Sequence, residues 1–310
     1  MAGLVAEHRP VRAASRRAAL EWLLERHVAY LLVLPTALAV LLVNLYPLAY
    51  TFVISFQEYK LSSTAPRFIG LDNYARLIHD PEVWHAIQVS AMFTVVSVGL
   101  SFAIGLVLAL LLNRRLSGRG VIRSLFIIPW AIPAFVAALI WSWMFNDQFG
   151  IFGALLRQLG VSRPPIFLSV DYALWSLIAV MTWKSFPFQL VILLAGLQAI
   201  PPDLYEAAAV DGASSWRRFR SITLPMLRPV ALISVLLAAI NAFHYFPIPW
   251  ILTRGGPSNA TNVIPIATYQ IAFSAGDFGY GAAAAFLMFA FIAATSAIYI
   301  WSYFRTGASL

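Results

Sequence analysis

The sequence has no cysteine and little charge, and each shortage excludes a class of protein. Without cysteine, the chain has no disulfide, no thiol chemistry and no thiolate metal site. Charged residues make up 11% of the chain, against about 25% in soluble globular domains, whereas hydrophobic residues make up 61%. We therefore expect a chain of 310 residues that places most of its surface in lipid.

Motifs for catalysis and nucleotide binding are also missing. The sequence has no G-x-x-x-x-G-K-[ST] phosphate loop, no H-E-x-x-H and no G-x-S-x-G. Its five histidines are scattered, and its carboxylates lie in loops or at the ends of apolar runs. The net charge of +8 forms no basic face for nucleic acid, because the arginines flank apolar runs. We expect no catalytic residue, cofactor, metal or nucleic-acid partner, so that any ATP hydrolysis belongs to a separate subunit.

Six apolar runs are long enough to cross a bilayer, because about 20 helical residues span roughly 30 Å of hydrocarbon. They predict an all-α membrane protein with helices at about 27–56, 87–112, 121–145, 172–197, 226–252 and 279–303. The first run is far longer than the core of a cleaved signal peptide, so we expect it to be retained. The predicted domains are a basic tail at 1–26, a six-helix domain at 27–305 containing a polar loop at 201–225, and a short end at 306–310.

The positions of lysine and arginine predict the orientation, because cytoplasmic flanks of membrane helices retain positive charge. With the N-terminus in the cytoplasm, fourteen cations lie inside: Arg9, Arg12, Arg16, Arg17, Arg26, Arg114, Arg115, Arg119, Arg123, Arg217, Arg218, Arg220, Arg228 and Arg305. Six lie outside: Lys60, Arg67, Arg76, Arg157, Arg163 and Arg254. We therefore expect both termini, the tail and the 201–225 loop to be cytoplasmic.

The loop contains a polar, arginine-rich stretch at 206–225 that reads EAAAVDGASSWRRFRSITLP. We expect Asp203 to cap a short helix over about 204–210, because a carboxylate accepts well from the first backbone amides of a helix. Gly212 then supplies a turn that a side chain would hinder. This predicts a short helix and a tight turn lying under the membrane.

A second short helix is expected after that turn, capped by Ser214 or Ser215 and ended by Pro225. One of its faces is apolar and carries Trp216, Phe219 and Ile222 at every third position, with Arg217, Arg218 and Arg220 elsewhere on the surface. Such a helix–turn–helix suits docking to a partner protein. The alternative is an ordinary amphipathic helix that rests on lipid headgroups.

The spacing of E-A-A, D-G-A and I-x-L-P in this stretch resembles the coupling loop of permeases from bacterial carbohydrate ABC importers. The resemblance implies the type I importer permease fold and a loop that sits in a groove of a partner ATPase, with Glu206 pairing to it. It carries the coupling role to Glu206, Ala207, Ala208, Asp211, Gly212, Ala213, Phe219, Leu224 and Pro225.

Three further stretches, at 68–74, 253–257 and 277–280, resemble permeases of the maltose and glycerol-3-phosphate type. The resemblance implies a bacterial cytoplasmic membrane protein. Its partners would be a second homologous permease, a homodimeric cytoplasmic ATPase and an extracytoplasmic sugar-binding protein. It also implies a disaccharide such as trehalose as the transported sugar.

Two patches that mix polar and aromatic residues, at 241–247 and 183–189, interrupt apolar spans and suit a sugar site near the midplane. In the maltose permease that the chain resembles, fifth-span polar residues contact sugar. The predicted substrate contacts are Asn241, His244, Tyr245, Trp183 and Gln189. The alternatives are that Asn241 bonds across helices, that His244 is a packed imidazole and that Lys184, a charge within a span, is structural.

Two other classes of protein remain as alternatives. A standalone secondary carrier would leave the polar loop without a role and usually needs carboxylates inside the membrane. A multi-pass glycosyl or lipid transferase would need acidic or histidine clusters at the membrane surface.

Overall fold

The computed structural model of the protein describes residues 28, 30–63, 65–114 and 117–307. The predicted basic tail at 1–26 and residues 308–310 lie outside this part. The chain divides into two compact units at the boundary between Val53 and Ile54.

The first unit contains most of helix α1 (Tyr30–Ser55), which includes a π-helical turn at Leu41–Leu45. Its side chains up to Val53 are exposed or half-buried, which suits contact with lipid. Two polar side chains of α1 bond to its own backbone: Asn44 Nδ2 donates to the carbonyl of Val40 at 3.3 Å, and Thr51 Oγ1 donates to that of Pro47 at 2.8 Å. A polar group is thereby satisfied where no water is at hand.

The second unit begins with two short antiparallel strands, β1 (Gln57–Glu58) and β2 (Arg67–Phe68), and is otherwise helical. Its helices are α2 (Asp72–His79), α3 (Pro81–Leu112), α4 (Arg119–Ala131), α5 (Ala134–Met144), α6 (Ile151–Gln158), α7 (Ala173–Gln198), α8 (Pro202–Val210), α9 (Ser215–Phe243), α10 (Pro247–Thr253), α11 (Ile264–Tyr269) and α12 (Phe278–Gly307).

Within the described residues, five helices are long and apolar enough to cross a membrane: α1, α3, α7, α9 and the Phe278–Ala297 part of α12. The sixth span is obtained when α4 and α5 are counted together, although they meet at 92°. The bend lies at Ile132, whose backbone is extended, and Pro133, which has no N–H to continue the helix. The third predicted span is therefore a broken one.

The fifth predicted span, over 226–252, is interrupted within its predicted bounds. Helix α9 ends at Phe243, and α10 begins only at Pro247. Pro247 and Pro249 lack the N–H groups that would bond to the carbonyls of Phe243 and Tyr245, so the helix cannot run through.

The centre of the second unit is the packing of α3 on α7. At Gly105 the two backbones come so close that a Cβ would lie 2.6 Å from Cβ of Gln189 and 2.9 Å from the amide nitrogen of Leu190. Gln189 is fully buried there, and its Nε2 donates to the carbonyl of Ser234 at 3.2 Å. This hydrogen bond ties α9 to the same pair of helices.

The stretches at 68–74 and 277–280, recognised separately in the sequence, lie together at one end of this unit. Asn73 Nδ2 donates to the carbonyl of Gln57 at 2.9 Å, and Arg76 forms an ion pair with Asp277 at 3.0 Å. The Arg76 guanidinium also lies 3.8 Å from the ring centroid of Tyr280. Segments far apart in sequence are joined in this way.

Beside that junction, β1 and β2 carry an exposed charge cluster. The hydrogen bond from the Lys60 ammonium and the nearby positive charge of Arg67 lower the pKa of the Glu58 carboxyl. The Glu58 carboxylate therefore stays ionised to a lower pH than an isolated glutamate would.

Candidate functional site

Helix α8, the first helix of the polar loop, begins at Pro202 after Pro201. The prediction that Asp203 caps this helix is wrong, because Asp203 lies within its first turn and makes no cap hydrogen bond. Proline at the first position needs no cap for its missing N–H. The Asp203 carboxylate still favours this end of the helix, since it faces the positive end of the helix dipole.

The predicted turn at Gly212 is confirmed. Gly212 has φ +73°, a left-handed conformation that residues with a Cβ adopt at a cost. Its amide donates to the carbonyl of Ala209, and the amide of Ala213 donates to that of Ala208 at 2.9 Å. These two bonds form a Schellman motif, which satisfies the last carbonyls of α8.

Ser214 caps α9, since its Oγ accepts from the amide of Arg217 at 3.3 Å. The prediction that Pro225 ends this helix is wrong, because α9 continues to Phe243. A π-helical turn at Phe219–Thr223 precedes the proline and widens the backbone, which leaves room for its ring. The loop is therefore helix–turn–helix, and its second helix runs directly into the fifth span.

The outer surface of this loop combines a carboxylate with unburied apolar groups. Glu206 and Ala207 are exposed on α8, and Val210 keeps 88% of its surface accessible. On α9, Trp216 is 69% exposed and stacks on Phe219 with ring centroids 5.5 Å apart. Asp211, Leu224 and Pro225 are also exposed, whereas Ala208, Ala213 and Phe219 are half-buried.

A cavity of about 360 Å³ opens among α4, α7 and α9 beside the break in the fifth span. Its volume is within the range of small-molecule sites, about 300–1,000 Å³. Its lining is mainly apolar and aromatic with a few polar groups, and consists of Trp130, Met181, Lys184, Ser185, Phe188, Leu237, Ala238, Asn241 and Tyr245.

Two of the predicted substrate residues, Asn241 and Tyr245, line this cavity together. The Asn241 side chain is exposed and makes no hydrogen bond with any described residue, so its amide is available to a ligand. Three aromatic residues line the same cavity, Trp130, Phe188 and Tyr245. Aromatic faces with an amide and a hydroxyl are the groups that commonly hold a sugar.

The other three predicted substrate residues lie outside the cavity lining. Trp183 packs edge-on against Trp141, with ring centroids 5.5 Å apart. Gln189 is buried at the crossing of α3 and α7. His244 is exposed at the end of α9, and its Nδ1 bonds to the carbonyl of Ile240.

Ser185 and Phe188 also line the cavity and fall within the patch at 183–189 proposed from the sequence, although they were not named as contacts, whereas Trp130 was missed. Trp130 reads as an interface anchor because it lies in an apolar run. Trp130 lies between Pro129 and Pro133, and this pair of prolines indicates a break in the helix. Broken helices often line transporter substrate sites, so this position could have identified Trp130 as a cavity residue.

Residues 101–306 match the family described as "Binding-protein-dependent transport system inner membrane component". The chain belongs to this family. The matched part of the permease extends from α3 to α12 and includes both the polar loop and the cavity.

Curated relatives align over most of the permease. The trehalose/maltose transport system permease protein MalF of Thermococcus litoralis is 40% identical over 276 residues, 89% of this chain and 93% of that protein. The sulfoquinovosyl glycerol transport system permease protein SmoG of Agrobacterium fabrum is 37% identical over 277 residues, which cover 89% of this chain and 90% of that protein. The trehalose transport system permease protein SugA of Mycobacterium tuberculosis is 35% identical over 277 residues, which cover 89% of this chain and 88% of that protein.

The fold of the permease is also that of a solved importer. A chain of a bacterial ABC transporter involved in the import of the acidic polysaccharide alginate superposes with a TM-score of 0.79 at 21% identity, over 94% of this chain and 99% of that one. A second structure, of a bacterial alginate ABC transporter in complex with an alginate pentasaccharide-bound periplasmic protein, superposes with a TM-score of 0.76 at 22% sequence identity. The predicted fold class, a helical ABC-importer permease, is confirmed.

Proposed function

We propose that this permease carries sugar across a bacterial cytoplasmic membrane as one subunit of an ATP-driven importer. The cavity beside Asn241 carries the proposal, because a small-molecule volume there brings together a hydroxyl, three aromatic residues and an amide that bonds to no described residue. The names of the relatives support a disaccharide such as trehalose or maltose. A standalone carrier or a membrane transferase would not account for the exposed loop.

The sugar site in this proposal is the cavity wall itself. Asn241 and Ser185 would bond to sugar hydroxyls, while Tyr245, Trp130 and Phe188 cover the apolar faces of the rings. The predicted contacts of Trp183, Gln189 and His244 require another arrangement of the helices, since these side chains lie outside the present lining.

The helix–turn–helix at 201–225 would be the contact with the ATPase. Its support is the pairing of an exposed carboxylate, Glu206, with the exposed apolar side chains of Val210 and Trp216. Exposed apolar groups around a charge are typical of docking surfaces. Because α9 continues from the loop into the fifth span, a push on the loop would move one wall of the cavity.

The proposed assembly contains a second homologous permease, two copies of a cytoplasmic ATPase and an extracytoplasmic sugar-binding protein. The loop and both termini would face the cytoplasm, as the distribution of arginine predicts. The outer segments at 57–86 and 253–278 would face the binding protein.

The first experiment is purification of this chain with the proteins that it retains in detergent, followed by measurement of ATP hydrolysis with binding protein and trehalose, maltose or sucrose. We expect a second permease and an ATPase, with hydrolysis stimulated by one of the sugars. Recovery of this chain alone would contradict the proposal that it works as one subunit of an ATP-driven importer.

A matched pair of variants tests the loop. Glu206→Ala should release the ATPase and abolish uptake, whereas Asp203→Ala, which removes another exposed carboxylate from the same helix, should leave both largely intact. If Glu206→Ala retains the ATPase and full uptake, Glu206 does not couple the two subunits.

A further inference from the structure

The ammonium of Lys184, on α7, points at the broken end of α4. It donates hydrogen bonds to the carbonyls of Pro129 and Trp130, each at 3.0 Å, and to the carbonyl of Ile132. An ammonium has three N–H donors, so every one of them is engaged by backbone. A charge within a span is thus satisfied by a helix end about fifty residues away.

These carbonyls are available because of the break. In a continuous helix the carbonyl of Pro129 would accept from the amide of residue 133, but residue 133 is proline and has no N–H. The last carbonyls of any helix lack partners of their own and carry the negative end of the dipole. The Lys184 ammonium supplies both the missing donors and the opposite charge.

The same two elements form the wall of the cavity. Trp130, whose carbonyl binds the ammonium, lines the cavity from α4, and Lys184 and Ser185 line it from α7. The hydrogen bonds of Lys184 therefore fix the distance between α7 and the helix end that carries the Trp130 ring.

We propose that Lys184 is a positioning residue: it holds the end of α4 against α7, keeps the Trp130 ring in the cavity wall, and leaves the cavity suited to an uncharged sugar. This rests on the proposed function. An acidic sugar could pair with the ammonium only by displacing a backbone carbonyl. Hydroxyl groups can instead bond to Asn241 and stack on the aromatic rings without disturbing it.

The test uses the assembled importer with three variants. Lys184→Met keeps the length of the side chain and removes every donor, whereas Lys184→Arg keeps the charge but cannot converge on three carbonyls around one atom. Arg163→Met is the matched control, because it removes one exposed positive charge from a loop outside the cavity.

Two measurements are made on each variant: hydrogen–deuterium exchange of peptides covering 119–144, and the KM and kcat of uptake. For Lys184→Met we expect exchange about tenfold faster around the bend, and a KM about tenfold higher with kcat within about twofold. Lys184→Arg should show smaller changes of the same sign, and Arg163→Met should match the wild type.

Unchanged exchange around the bend in Lys184→Met overturns the proposal, whatever happens to uptake. Faster exchange with an unchanged KM overturns the positioning of the cavity wall. If the Lys184→Met importer does not assemble, the Lys184→Arg variant tests the proposal instead. Exchange and KM equal to those of the wild type in Lys184→Arg would overturn the proposal, because the three hydrogen bonds to backbone carbonyls would then be dispensable.

Competition between sugars tests the role of the charge. We expect a neutral disaccharide to be transported in preference to one that carries a uronic acid, in the wild type and in Lys184→Met alike. A wild-type preference for the acidic sugar that Lys184→Met loses would mean that the ammonium binds substrate. A wild-type assembly that transports no sugar would contradict the proposed function. Hydrogen–deuterium exchange would still show whether Lys184 stabilises the bend between α4 and α5.

Discussion

The hydroxyl of Tyr205 lies 3.0 Å from Oγ1 of Thr223, and this hydrogen bond joins α8 to the π-helical turn of α9. Thr223 is buried at 5% exposure, and Tyr205 is half-buried. Because Tyr205 is the neighbour of the exposed Glu206, we expect a force on the loop to pass to α9 through this contact as well as through the Gly212 turn.

We expect a double-mutant cycle of Tyr205→Phe and Thr223→Val to show a coupling of about 0.5–1.5 kcal/mol, the usual contribution of a neutral hydrogen bond. The free energy of unfolding in detergent is the measurement. Both single variants should lower sugar-stimulated ATP hydrolysis more than basal hydrolysis. Strictly additive losses would mean that the two side chains act independently.

Asn241→Ala should raise the KM for sugar about tenfold, because it removes the amide that faces the cavity. His244→Ala, a change three residues further along, should leave the KM within about twofold, since its ring lies outside the lining. Uptake by proteoliposomes gives both values. The opposite order of effects would place the sugar on the far side of the break in the fifth span.

Gly105→Ala should destabilise the chain by about 1–3 kcal/mol, because its Cβ would lie 2.6 Å from that of Gln189 and must push two helices apart. Gly99→Ala is the control on the same helix, where a Cβ meets nothing within 4 Å. That variant should gain up to about 1 kcal/mol from the better helix propensity of alanine. Thermal unfolding of the purified chain compares the two, and equal stabilities would contradict the close crossing.

Gly212→Ala should cost about 1–2 kcal/mol, because alanine pays for the left-handed conformation at φ +73°. Gly212→Asn should cost less, since asparagine tolerates that conformation better. The loss should appear as weaker retention of the ATPase in pull-down, with the order glycine, asparagine, alanine. An alanine variant that retains the ATPase as well as the wild type would show that this turn is not needed for docking.

Two local features of the polar loop could be predicted from the sequence, because short-range chemistry decides them, whereas the cap expected of Asp203 is absent. The Ser214 cap and the Gly212 turn depend on one residue type in one position, and both are confirmed. The family resemblance rested on the same stretch. Continuation of α9 through Pro225 was missed because proline usually ends a helix, and a π-helical turn leaves no mark on residue type.

The site depended on distant contacts and was predicted only in part. Asn241 and Tyr245 line the cavity beside the break in the fifth span, and Pro247 and Pro249 mark that break in the sequence without showing which side chains meet there. The partner of Lys184 could not be predicted, since the sequence shows a charge in a span but not the helix end that faces it. Residues that meet across helices need the fold before they can be paired.

The crossing of α3 and α7 at Gly105 has a consequence for how the molecule changes shape. Backbones in such close contact cannot slide past one another without collision, so we expect α3 and α7 to move as one rigid body. In the proposed transport cycle we expect the strain to fall on the interruptions in the other helices, at Ile132–Pro133 and at 244–246. These interruptions would then act as hinges, and we expect the segments that turn on them to form the gate of the proposed passage.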